Sequence, residues 1–236
     1  ATYRQSSITS SQHKELDPLN QYLARAPRFR LMGEFVRDNA LAVSGLLNKQ
    51  FGGPGVRPYQ PPGLWVEVSL SGGRRFVADK GEKLYRRSMY TYWKRSAPQP
   101  ALMAFDTPSR EKCVLKRQRT NTPMQALITL NDDQFVEASR VFAERILKSG
   151  EKDFKKQLDH AFELATSRPA DDLRRNVLKS TYDAQLALFT KEPERAKQLL
   201  AVGDSKPDAS LNSVEHATWT LLASMILNLD ETLNRE

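Results

Sequence analysis

The residues with the greatest chemical capacity in this 236-residue chain lie between Phe105 and Asp132, where Asp106, Arg110, Glu111, Cys113, Arg117, Arg119, Asn121, Gln125, Asn131 and Asp132 follow one another closely. Arginines hold an anionic group through paired N–H donors, and a carboxylate beside them serves as a base or a metal ligand. Asp106 and Asp132 are therefore the catalytic candidates, and Arg110, Arg117, Arg119, Asn121, Gln125 and Asn131 the ligand-binding ones. The same residue types also do purely structural work: arginines pair with nearby carboxylates, Asn121 stabilises a turn and Asn131 caps a helix. Structural ion-pair networks perturb and gather such residues as active sites do.

A second constellation precedes it. In YRRSMYTYWKR, Tyr85, Arg86, Arg87, Tyr90, Tyr92, Trp93 and Lys94 interleave aromatic rings with cations. Such a run stacks on single-stranded nucleic acid, or on sugar rings whose sulfate or carboxylate groups the cations reach. Its bland counterpart is a basic segment docked on an acidic partner domain, with the rings in the core. Cys113 is the sole cysteine, and His13, His160 and His216 are the only histidines, so a zinc ribbon, an iron–sulfur cluster and a CxxCH haem attachment are excluded within this chain. A lone cysteine is a small buried hydrophobe or, in an exported protein, half of a disulfide to a cysteine elsewhere, and a nucleophilic role would need a base that is not adjacent in sequence. His160 and His216 sit among apolar residues and read as structural, so no metal site is expected.

The elements that must position these residues are mostly helical. Leu31, Phe35, Ala42 and Leu46 suggest one helix within residues 27–50, ending before the Pro/Gly-rich loop GGPGVRPYQPPG. WVEVSL and RRFVAD around SGG read as a β-hairpin, and LYRRSMYTYWKR leans towards a helix. Thr122, Pro123 and Gln125 carry the pattern of a capping box, and Asn131 repeats the start signal before Phe135, Ala138, Phe142 and Ile146 recur at helical spacing up to Gly150. Helical periods continue through Phe154, Leu158 and Phe162, through Leu173 to Leu186, and through PERAKQLL. The last run, capped by Asn212 or Ser213, is apolar nearly all round, as the centre of a bundle would be. The expectation is a mainly α protein, a helical bundle with long Pro/Gly-rich loops and one small β-hairpin. Residues 1–120 would form a loop-rich part that continues an upstream portion, and residues 121–236 the bundle.

Charge divides along similar lines. The formal net charge is +8, yet between Leu84 and Arg119 nine Lys or Arg face only Asp106 and Glu111, while residues 151–236 hold 12 basic and 15 acidic side chains. The two parts are therefore expected to have different partners. The longest apolar runs fall far short of the ~20 residues a membrane span needs. The chain opens on ATYRQSS, which has neither the basic start nor the apolar stretch of a secretory signal, so something upstream, a cleaved signal peptide or a much larger portion, is expected to have been removed or to be absent.

YRRSMYTYWKR and FDTPSREKCVLKRQRTNTPMQALITLNDDQFVEASR resemble the signature stretch of a planctomycete and verrucomicrobial family, the cytochrome-c-associated C-terminal domain of unknown function fifteen fifty-three. TYRQSS, PRFRL, RDNALAVSGLL, GGPGVRPYQPPGLW and the closing ASMILNLDETL add to the likeness. The resemblance implies a C-terminal domain of a large exported protein, periplasmic or at the cell surface, with haem c in a neighbouring domain and no cofactor in this chain. It implies the upstream portion of the same protein as a partner and makes nucleic acid a poor one, while an acidic or sulfated polysaccharide fits the basic segment. Two roles follow as expectations: an interaction or scaffold domain contributing to a pocket for an anionic polymer, or a carbohydrate-active oxidoreductase passing electrons to the haem domain.

Overall fold

The computed structural model describes residues 5–69 and 75–235. The chain is mainly α, as its periodicity indicates. It opens with a looped segment, residues 5–26, whose one helix, α1 (Ser11–Leu16), is capped by Ser10 and buries none of its residues. Strand β1 (Phe29–Arg30) pairs antiparallel with β2 (Asn234–Arg235), Phe29 opposite Arg235, and so ties the two ends of the described chain together.

Helix α2 (Gly33–Ser44) starts where Gly33 presses on Thr107 and Phe105, leaving no room for a side chain: a Cβ would lie 2.8 Å from Thr107 Oγ1. That close approach sets the helix's rotation. Val36, Ala40 and Val43 face the core, with Arg37 and Leu41 buried beside them, whereas Phe35 is 52 % exposed. The expected face through Phe35 and Ala42 is thus wrong by part of a turn, because the i, i+4, i+7 set beginning at Val36 is equally periodic and only packing chooses between the two. Gly45, in the left-handed region at φ 91, ends the helix.

The hairpin does not form among the described residues. Leu64–Glu67 is one helical turn, α3, residues 75–80 have no regular structure, and the glycine turn itself falls outside the described residues. A lone two-stranded ribbon is marginal without a third strand or a covering helix, so local β preference yields to packing. Here Trp65 alone turns inward, its ring 5.4 Å from that of Phe76. LYRRSMYTYWKR is likewise no α-helix but two short 3₁₀ turns, Gly81–Tyr85 and Ser88–Tyr90. The reason is a competing donor: Arg37 takes the carbonyls of Leu84 and Arg86, and Asn48 N–H takes that of Tyr85, so these oxygens are not available to a helical ladder.

Beyond α4 (Pro100–Ala104), the bundle consists of α5 (Pro123–Asn131), α6 (Asp133–Leu147), α7 (Phe154–Thr166), α8 (Asp172–Lys191), α9 (Pro193–Leu200), α10 (Ser213–Leu227) and α11 (Asp230–Leu233). The break between α5 and α6 falls at Asp132, whose carboxylate accepts from Gln134 N–H at 3.1 Å. Asn131, expected as that cap, donates instead to Leu127 O within α5. Nor does a capping box form at Thr122, which makes no side-chain cap bond; Gln125 turns inward to Ala104 O and Thr120 Oγ1. α6 and α10 are the central pair: Phe135, Ala138, Phe142 and Ile146 meet a core that includes Trp219, Leu222, Ala223 and Ile226, all but Phe135 fully buried. Asn212 caps α10 through Val214 and Glu215 N–H, as expected.

The other face of α6 is polar and equally buried. Glu137 accepts from Tyr59 Oη (2.9 Å), Tyr85 Oη (2.8 Å), Ser205 N–H (2.7 Å) and Ser205 Oγ (2.6 Å), and Arg140 donates to Glu144 (2.7 Å) and Ser205 O (2.7 Å). Burial, followed by the hydrogen bond to Glu137, pushes the Tyr85 hydroxyl up to about 12. Gly203, at φ 98, lies so close that a Cβ would sit 2.6 Å from Glu137 Cγ. Gly203→Ala is therefore expected to cost about 2–4 kcal/mol. Gly150→Ala, equally left-handed at φ 85 but facing open space, should cost only about 1–2 kcal/mol. Urea unfolding of the two variants measures the difference; equal losses would mean that the Glu137 cluster yields without penalty.

Candidate functional site

The segment from Phe105 to Asp132 begins as a clasp. Phe105 is buried in the core, and Asp106, held at φ 59, accepts from Thr120 N–H (2.6 Å) and Thr120 Oγ1 (2.9 Å). The clasp closes an irregular arm, residues 107–119, of which residues 109–119 are all exposed. Three of its cations are engaged with the body of the chain. Arg110 lies 4.5 Å over the Trp93 ring, whose Nε1 donates to Ser109 O; Arg119 lies 4.5 Å over Phe29; Arg117 donates to both Glu34 oxygens, the shorter at 2.8 Å. Between the clasp and the body, Arg30, Asp106, Arg117, Arg119 and Gln125 line a crevice of about 10 Å³, room for one water and no substrate.

The remaining candidates lie elsewhere. Asn121 is exposed ahead of α5, while Asn131 and Asp132 stand at its far end, roughly 13 Å along a nine-residue helix. Burial pushes the Asp132 carboxyl up to about 6; the N–H of Gln134 pulls the other way and Asp133 adds to the rise. So Asp106, Arg117, Arg119 and Gln125 come together, and Asp132, Asn131, Asn121 and Arg110 do not join them.

The aromatic and basic run is similarly divided. Tyr85 is tied to Glu137, and Arg86 is buried, donating to Pro54 O and stacking 4.0 Å from the Tyr90 ring. Tyr90 Oη accepts from Gly52 N–H, and Arg87 is half-buried. Tyr92, half exposed, packs near Trp65 under Arg57, and Lys94 lies 4.5 Å over Trp65. Trp93 is occupied by Arg110. Most of the ring faces a sugar or base would use are covered by the chain's own cations.

Cys113 is free and exposed, which overturns its reading as a buried hydrophobe. His216 is buried with Nε2 3.2 Å from Arg140 O, and desolvation holds its pKa below the ordinary value. Among the described residues no group of three or more His, Cys, Asp or Glu could hold a metal ion.

Sequence reasoning missed the groups that organise the interior. Arg37 is 2 % exposed and donates to Gln134 Oε1 (2.6 Å), Arg86 O (2.8 Å) and Leu84 O (2.5 Å). The signal was present: Arg37 falls beside Val36, Ala40 and Val43, the apolar set that packing selects. Glu137 and Arg140 share the turns of α6 that carry Ala138 and Phe142, with no tyrosine close enough in sequence to announce them.

With this geometry in hand the class is defined: a mainly helical domain with a charged arm whose residues 109–119 are exposed. A family model described as PSD1, protein of unknown function (DUF1553), matches residues 1–182, and the chain belongs to that family. The closing ASMILNLDETL lies beyond the matched region. No curated protein and no solved structure matches the chain.

Half-buried Asp132 and buried His216 oppose each other with pH. Asp132, raised from 3.8 to about 6, takes up a proton more readily folded than unfolded, so its contribution is present below the unfolded value and is lost as pH rises through 6. His216, held below 6.5, loses its contribution as pH falls below that value. Asp132→Asn keeps a capping side chain and removes a half-buried charge that desolvation disfavours, so it should stabilise the chain by about 1 kcal/mol at pH 7 and by nothing at pH 3.5. Thermal melts of both proteins across pH 3.5–8 measure it; a variant less stable at pH 7 would show that the charge serves Arg37 more than burial costs.

Proposed function

We propose that this chain is an interaction domain of a larger exported, cytochrome-c-linked protein, and that it docks on the upstream portion of that protein through residues 5–26. The observation that carries this reading is that the looped segment is inside out. Its one buried side chain is Asp17, which accepts from Gln21 N–H (2.7 Å) and Tyr22 N–H (2.9 Å). Ala26 N–H closes the loop on Ser6 O, and Asn20 bonds Arg25 at both its carbonyl and its N–H. Outward point Ile8, Leu16, Leu19, Tyr22 and Leu23, between 54 % and 82 % exposed. A polar interior with an apolar exterior is the arrangement of a segment that buries its surface on another body.

The basic arm supports the same reading. Residues 109–119 are ordered at both ends yet bury nothing, and Val114 and Leu115 stand in water beside Lys112 and Lys116. Ordering a chain costs entropy that burial normally offsets, so an apolar, basic tip suits an acidic protein surface with apolar anchors. An acidic or sulfated polysaccharide is the lesser partner, since Arg110, Arg117 and Arg119 already have partners within the chain. The oxidoreductase reading needs carboxylates and arginines converging on an open cleft, and Asp106 and Asp132 do not do so.

In the longer protein the amides of residues 5–26 should exchange with deuterium at least about tenfold more slowly than in this chain alone. The double variant Leu19→Ser/Tyr22→Ser should abolish that protection while leaving this chain's own melting temperature unchanged, because neither side chain is buried here. Equal exchange in both contexts would sink the proposal.

A further inference from the structure

A cavity of about 460 Å³ opens where α7 ends and α8 begins, and no residue of the arm or of residues 5–26 lines it. Its volume falls within the range of small-molecule sites. Phe162 and Ala165 contribute apolar surface, and Asn39 of α2, Thr166 of α7, Glu231 of α11 and Asn234 of β2 supply polar groups. The walls are held in place by their own bonds. Arg174 bridges Asp171 and Glu231, Thr166 Oγ1 donates to Phe162 O (2.8 Å), Thr232 Oγ1 to Ile226 O (2.7 Å) and Asn234 Nδ2 to Asp230 O (2.9 Å). Such a site is formed before any ligand arrives.

We propose that this cavity binds an uncharged, hydroxyl-rich molecule of mono- or disaccharide size. Charge favours neither sign of ligand. The lining carries two guanidinium groups, Arg168 and Arg174, and two carboxylates, Asp171 and Glu231, both of which Arg174 engages, so its formal charges sum to zero. A wholly apolar ligand would strip water from the Arg174–Glu231 pair without replacing its hydrogen bonds. A polyol satisfies what is left: the Asn39 amide, whose one hydrogen bond among the described residues, to Thr232 O, is long at 3.5 Å, both donates and accepts. The second oxygen of Glu231 accepts from a hydroxyl, and C–H faces rest on Ala165 and Pro169. This site is independent of the docking segment and of the arm.

The test is ligand-detected saturation-transfer NMR on this chain with maltose, cellobiose, lactose and N,N′-diacetylchitobiose, alongside glucuronic acid and glucosamine as charged counterparts. At least one neutral sugar should bind, slowing amide exchange in residues 165–171 and 230–234. Ala165→Phe, which fills the cavity, and Asn39→Ala, which only removes the amide, should each weaken it at least about tenfold. Binding by no neutral sugar, tighter binding of a charged one, a footprint elsewhere, or unchanged affinity in folded Asn39→Ala would each overturn the assignment. Should Ala165→Phe fail to fold, the footprint and Asn39→Ala still decide the matter.

Discussion

The structure depends on a carboxylate that has nowhere to go. Glu137 is fully buried on α6, and a buried carboxylate is tolerable only when both its oxygens are hydrogen-bonded. Tyr59, Tyr85 and Ser205 meet it, and each comes from a stretch with little regular structure of its own. Arg140, also fully buried, fixes the same Ser205 loop from the next turn of the helix. One helix thus serves two assemblies: its apolar face packs on α10, and its polar face dictates where the loops around residues 59, 85 and 205 must lie.

Arg37 repeats the arrangement from α2. Its guanidinium holds the carbonyls of Leu84 and Arg86 and the side chain of Gln134, so the segment 81–92 is shaped by donors outside itself. Asp38 completes the hold, accepting from Ser88 N–H and Oγ at 2.7 Å. The loop-rich half is therefore specified by directional bonds to two helices more than by apolar burial. That is consistent with Leu41, Leu84 and Tyr85 forming only a small cluster apart from the main core.

This division explains which features could be read in the amino-acid sequence. The bundle was legible, because Phe135 to Ile146 and Val214 to Leu227 announce themselves by local period and by caps such as Asn212. The loops were not, because Arg37 acts on residues 47 and 49 positions away and Glu137 on residues 52 to 78 away, separations at which no local pattern survives. The β-favouring composition around Trp65 failed for a related reason: the ring found Phe76 and Tyr92 through a helical turn, and no neighbouring strand rewarded an extended one. At the candidate site, the composition of residues 105–132 is plain in the sequence, but convergence is a tertiary property, and the helix α5 separates the two carboxylates.

The same logic bears on the net positive charge. A surface that binds polyanions by counterion release needs cations whose first partner is solvent. Here Arg86 stacks on Tyr90, Arg110 on Trp93, Arg119 on Phe29 and Lys94 on Trp65, while Arg117 is paired with Glu34. The contacts of Arg110, Arg117 and Arg119 give part of this charge a structural use: they hold an arm without secondary structure, and with no buried side chain of its own between residues 109 and 119, against the body of the chain. Cation–π contacts and exposed ion pairs each contribute little, on the order of 1 kcal/mol or less. An arm secured by several such contacts is held against the body of the chain and is still easily re-laid.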